Sequence, residues 1–142
     1  ALLHAFGVYE SIQVIGGVPF HLTAHLRRLE RSARFIELPL PAPLAKMATW
    51  VRAFLAQQPH GDHLLRIVVP GPSEVEGSLC WLRMEPLPQY PPRYWTLGAD
   101  AITFPAVRPL PQAKTLNTLT NYLAQRAAHQ AGCHEGLLVH DG

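Results

Sequence analysis

The sequence predicts an α+β fold: a two-layer α/β domain at the N-terminus, followed by the start of a second domain. Three observations predict it. β-branched residues are dense over 8–15, as in a strand. Apolar residues recur every three or four positions over 26–36 and 44–55, as on one face of a helix. The segments run strand, strand, helix, helix and then three strands, an order that suits helices laid on one face of a largely antiparallel sheet. Of the 142 residues, 48% are hydrophobic and 15% charged, enough apolar surface for a packed core.

Each element has its own justification. Gly16-Gly17 supply the positive φ angles that would fold 8–15 back onto 18–22 as a hairpin. Thr23 is the expected N-cap of the first helix, where Leu26, Leu29, Ala33 and Ile36 face the core. Pro39, Pro41 and Pro43 separate it from a second helix carrying Leu44, Met47, Ala48, Val51, Phe54 and Leu55. Strands are expected over 63–69, 78–84 and 94–104. Three prolines over 105–111 predict an extended connector. A helix over 117–131 is expected to bury Leu116, Leu119, Leu123 and Ala127 and to stop at Gly132. A short strand over 136–140 opens the second domain. Domain bounds are accordingly expected at 1–104, 105–113 (the connector) and 114–142. The chain begins without Met and stops at a turn signal, so a piece of a longer protein is expected, lacking the first strand of its first domain and most of its second.

Composition excludes several classes. A net charge of +2, with the arginines not in one long run, gives no case for nucleic acid. No apolar run is long enough to span a membrane, and the start is not that of a signal peptide. Cys80 and Cys133 stand alone, at a spacing that suits neither zinc nor a disulfide framework, so a reducing, cytoplasmic setting is expected. His21 and His25 are four apart without the glutamate that a metalloprotease motif needs, so no metal site is expected. No phosphate-binding P-loop, no G-x-G-x-x-G and no serine nucleophile elbow is present.

Lysine usage is the sharpest chemical signal. There are two lysines, Lys46 and Lys114, against ten arginines. Lys46 falls in a helix expected to be solvated, whereas Lys114 lies between the proline-rich connector and a long helix. Most lysines are solvated surface charges. An amine sheltered from water can instead be neutral and nucleophilic.

Three stretches give that lysine a context. The first is Gly7-Val8-Tyr9-Glu10-Ser11-Ile12-Gln13-Val14, with Gly17 and Pro19-Phe20 after it. The second is His25-Leu26-Arg27-Arg28-Leu29-Glu30-Arg31-Ser32-Ala33. The third runs from Lys114 through Asn117, Leu123-Ala124 and Ala131-Gly132-Cys133-His134-Glu135 to Leu137-Leu138 and Asp141-Gly142. In order and spacing, along nearly the whole chain, they resemble the class IV aminotransferases. These are fold-type IV enzymes that use pyridoxal 5'-phosphate, among them D-amino acid and branched-chain aminotransferases and aminodeoxychorismate lyase.

The resemblance implies a PLP-dependent transfer of an amino group between an amino acid and a 2-oxo acid. It implies that Lys114 forms the internal aldimine and then serves as acid/base catalyst, and that Arg28 binds the cofactor phosphate. Tyr9 matches a position facing the substrate side of the cofactor. A homodimer with sites near the subunit interface is implied too. A lyase releasing pyruvate is one alternative; a non-catalytic binding or dimerisation module on the same fold is a second. Glu10 belongs to the motif without a derivable role.

Some positions depart from the family. Leu3-His4-Ala5-Phe6 stands where another glycine and an acidic residue are usual. Val69-Pro70-Gly71-Pro72 supplies neither the arginine nor the histidine that holds the substrate carboxylate in D-amino acid aminotransferase, with Arg66 and Arg108 as candidate substitutes. The family's acidic partner for the pyridine nitrogen falls after residue 142. The stretch alone is therefore expected to be inactive, and the full-length chain active.

Overall fold

The computed structural model describes residues 6–71 and 79–140. By internal contacts the chain divides into two compact units, Ala1–Pro88 with Gln112–Leu116, and Gln89–Pro111 with Asn117–Gly142.

The first unit is a two-layer arrangement. Strands β1 (Gly7–Ile15), β2 (Val18–Pro19), β3 (His63–Pro70) and β4 (Trp81–Pro86) form an antiparallel sheet in the order β2-β1-β3-β4. Helices α1 (Leu22–Phe35) and α2 (Leu44–Leu55) cover one face. Side chains alternate across a strand, so β1 turns Val8, Glu10, Ile12 and Val14 inward, each at most 1% exposed, and Tyr9, Ser11 and Gln13 to the other face. Leu65, Ile67 and Val69 of β3 continue the inner face, and Leu26, Leu29, Ala33, Met47 and Val51 of the helices close over it.

The expected hairpin is present: Gly16 and Gly17 both take positive φ, 55° and 83°, between β1 and β2. Helix α1 begins two residues earlier than the sequence suggested, and Thr23 lies in its first turn instead of capping it. The cap is His21, held at φ 47° with no side-chain bond; its carbonyl accepts the amides of Ala24 and His25. A backbone turn has taken the place of a hydroxyl cap. Strand β4 begins at Trp81, and Ser78, where it was expected to start, lies outside the described residues.

The second unit holds β5 (Ala101–Pro105), α3 (Leu119–Gln130) and β6 (Glu135–Val139), with β5 and β6 paired in parallel. A continuous strand over 94–104 does not form. Pro92 starts a 3-10 turn over Pro92–Trp95, and Gly98 at φ 82° bends the chain before β5. This strand pairs with β6 and so belongs to the second unit, not to the antiparallel sheet. The buried face of α3 also differs from expectation. Ala124 and Ala128 are buried, while Leu119 and Leu123 are 63% and 42% exposed. The reason is close approach: a Cβ on Gly136 of β6 would lie 2.5 Å from the Ala124 carbonyl oxygen, so only small side chains fit between helix and strand. Gly132, at φ 74°, ends the helix as expected.

Candidate active site

Lys114 belongs to the first unit, carried there by Gln112–Leu116. The reason is local. Strand β2 is two residues long and covers only the far end of β1. At the near end the same edge of β1 is open, and residues 114–116 occupy it. The Tyr9 amide donates to the Lys114 carbonyl (3.1 Å), the Leu116 amide donates to the Gly7 carbonyl (2.9 Å), and Val8 faces Thr115 in an antiparallel bridge. Ala113 and Thr115 on either side of the lysine are buried, at 1% and 6% exposure. The lysine's own amide donates to Ser32 Oγ on α1 at 3.0 Å.

This backbone places the side chain on the outer face of β1. Lys114 Nζ lies 4.3 Å from the centroid of the Tyr9 ring, with the side chain half-buried. None of the ion pairs among the described residues involves Lys114. Lys46, by contrast, is exposed on α2.

Arg28 is fixed from the opposite face of the same strand. Its Nε and Nη2 both donate to the Glu10 carboxylate at 2.6 Å, a bidentate pair, and His25 Nδ1 lies 2.8 Å from Glu10 Oε2. Burial by itself would push the Glu10 carboxyl up. The hydrogen bonds from Arg28 and then from His25 outweigh burial and hold it below the ordinary carboxylate range. The bond to Glu10 in turn keeps Arg28 firmly charged against its partial desolvation, with smaller support from the nearby Tyr9 phenol. The Arg28 side chain is 47% exposed, so its Nη1 group is still available to an anion.

The structure thus brings Tyr9, Arg28 and Lys114 to one end of β1. Glu10, His25 and Ser32 lie inside the family motifs, and the sequence alone assigns them no role. A signal was present for Glu10: it occupies an inward position between Val8 and Ile12, and a carboxylate there requires partners. Arg66 lies on the Tyr9 face of the sheet, where Nη1 donates to Ser11 Oγ (2.9 Å) and Nε to Glu85 (3.3 Å). Arg108 belongs to the other unit. Among the described residues, no group of three or more His, Cys, Asp or Glu is placed to hold a metal ion, and no helix is long and apolar enough to cross a membrane.

Comparison with known proteins assigns this arrangement to a family. The model of the class IV aminotransferases matches residues 7–142, and the chain belongs to that family. A protein of Methanocaldococcus jannaschii, provisionally named a branched-chain-amino-acid aminotransferase, is 32% identical over 99% of this chain and 52% of its own. The fold IV-transaminase of Curtobacterium pusillum superposes with a TM-score of 0.80 at 25% identity, covering 95% of this chain and 50% of that one. A structure provisionally titled a 4-amino-4-deoxychorismate lyase gives 0.81 at 29% identity, covering 99% and 56%. The chain therefore spans about half the length of these relatives. The fold is that of the fold-type IV transaminases, and the family depends on pyridoxal 5'-phosphate.

Proposed function

We propose that the full-length protein transfers an amino group between an amino acid and a 2-oxo acid, with pyridoxal 5'-phosphate attached at Lys114 and its phosphate on Arg28. One observation carries this reading. The scarcer basic residue is an amine strapped by its backbone to both β1 and α1, the helix that carries a guanidinium already oriented by a buried carboxylate.

The residues fit the cofactor's chemistry. Glu10 occupies Nε and one N–H of Nη2, which leaves Arg28 three N–H donors and a fixed plane for a phosphate. Pyridoxal 5'-phosphate, when bound, supplies an aldehyde and an electron-withdrawing ring. Lys114 Nζ would hold the cofactor through its aldehyde carbon, and the same amine, once free, would carry the proton from the substrate Cα to that carbon. The Tyr9 ring forms a wall against the amine and limits water on that side. The acceptor half of the reaction gives the new amino acid from a 2-oxo acid. A homodimer is part of the proposal; Trp81, 41% exposed on the edge strand β4, is available to such a contact.

A lyase that releases pyruvate is the second reading, favoured by the 0.81 superposition on the lyase-titled structure. Supplying 2-oxoglutarate separates the two: a transaminase makes glutamate, whereas a lyase makes pyruvate with no acceptor. The central test is borohydride reduction of the full-length protein followed by peptide mapping. A pyridoxyl group on Lys114 is expected, with exposed Lys46 as the internal control. Label on Lys46, or on neither lysine, overturns the reading. Lys114→Ala should lose at least about 100-fold in activity.

A further inference from the structure

We propose that Ser32 is a positioning residue for Lys114, tying the covalent lysine to the helix that carries the phosphate arginine. The proposal rests on the reading of Lys114 given above. A serine inside a helix ordinarily returns its hydroxyl to the carbonyl four residues back, as Thr49 does to Ala45 (3.1 Å) on α2. Ser32 lies in the interior of α1, is 2% exposed, and receives the Lys114 amide from 82 residues away at 3.0 Å. Its hydroxyl is directed to a tertiary contact at the one residue proposed to become covalently attached.

Geometry gives that bond its consequence. Arg28 and Ser32 are four residues apart on α1, hence neighbours on one face, separated by about 6 Å along the axis. The Lys114 amide is bound to Ser32, and the Lys114 carbonyl accepts the Tyr9 amide of β1. The lysine Cα is therefore held between the helix that bears Arg28 and the strand that bears Glu10 and Tyr9. One turn of α1 acts as a ruler between the anion-binding guanidinium and the attachment point. A ligand anchored by its phosphate then meets the amine at a set distance instead of searching for it. Loss of the Ser32 oxygen would leave the Lys114 amide, flanked by buried Ala113 and Thr115, without its acceptor.

The test uses the full-length protein with Ser32→Ala, Ser32→Cys and Lys114→Ala. Pyridoxamine 5'-phosphate has the phosphate and ring but no aldehyde, so its affinity reports non-covalent binding without the bond to Lys114. Ser32→Ala should change that affinity less than threefold. It should slow borohydride-trapped capture of pyridoxal 5'-phosphate on Lys114 at least tenfold, and hydrogen exchange at the Lys114 amide should rise at least tenfold. Capture at the unsubstituted rate, or a proportional loss of pyridoxamine 5'-phosphate affinity, overturns the proposal, the latter because it marks a merely structural effect. Should Ser32→Ala fail to fold, Ser32→Cys decides: its sulfur is a weak acceptor of similar size, and an intermediate capture rate with unchanged pyridoxamine 5'-phosphate affinity is expected. Lys114→Ala should capture nothing. If the unsubstituted protein itself captures nothing on Lys114, the functional reading fails, and this proposal with it.

Discussion

Glu10 and Arg28 meet through two hydrogen bonds of 2.6 Å, one to each carboxylate oxygen, with the carboxylate fully buried and the guanidinium about half exposed. The asymmetry matters. The buried partner cannot adjust, so it dictates the plane of the exposed one. Glu10→Gln keeps the shape but turns one accepting oxygen into a donor facing Arg28. Because Arg28 is half in water, the expected loss is about 1–3 kcal/mol, below that of a fully buried pair. Urea melts measure it. Affinity for pyridoxamine 5'-phosphate should fall about tenfold at the same time, as the guanidinium loses its fixed orientation. A variant with unchanged stability and unchanged affinity would show that the pair is ornamental.

The same pair sets an acid limit. The folded-state pKa of Glu10 lies below the ordinary value of 4.5, so the charged carboxylate favours the folded state. Its contribution is complete above that ordinary value and is lost as pH falls through the lower, folded one. Stability from Glu10 should therefore decline only below pH 4.5. In denaturant melts at a series of pH values, the unsubstituted protein should lose stability in that acid range, and Glu10→Gln should give a flatter curve there. Parallel curves would contradict this.

Gly7 is required by space as well as by conformation. At φ 153°, a Cβ there would strike the Val69 carbonyl oxygen and lie 2.8 Å from Pro70 Cα and 2.9 Å from Leu116 Cδ1. The first two are backbone atoms of β3 and cannot yield alone, whereas the Leu116 methyl can turn aside. Gly7→Ala should cost about 2–4 kcal/mol. The Gly7 carbonyl also holds the Leu116 amide, so capture of pyridoxal 5'-phosphate on Lys114 should slow along with the fall in Tm.

Tyr9 offers two separable features, a ring under the Lys114 amine and a phenol near Arg28. Tyr9→Phe keeps the ring and should leave trapping at Lys114 within about threefold of the unsubstituted rate, which corresponds to well under 1 kcal/mol. Tyr9→Ala removes the wall and should raise KM for the amino donor at least tenfold, about 1.4 kcal/mol. Steady-state kinetics on the pair checks this; equal behaviour of the two variants would deny the ring a role.

Much of the first unit was legible because its residues obey one period each. The alternation of β1, the helical spacing from Leu26 to Ile36 and the glycines at 16 and 17 all led to elements that formed. The misreadings arose where tertiary contact overrode local preference. Thr23 is a good cap by type, but the turn at His21 started the helix before it. Leucines 119 and 123 look like a buried stripe, yet the strand comes too close to α3 for anything larger than alanine. At the candidate site, Tyr9, Arg28 and Lys114 were readable only through motif resemblance. Their connections were not, because the bonds from Lys114 to Ser32 and from Arg28 to Glu10 join residues 82 and 18 apart. No local pattern encodes such a pairing.

Strand β1 carries two incompatible sets of side chains on its two sides, Glu10 toward the helices and Tyr9 toward the amine. Its nine residues therefore have parity, like a reading frame. Deleting or inserting a single residue between Gly7 and Tyr9 would deliver the carboxylate to the lysine and thrust the phenol among core leucines. A change of two would restore the sidedness. Sequence length in that short stretch is consequently far less negotiable than sequence identity.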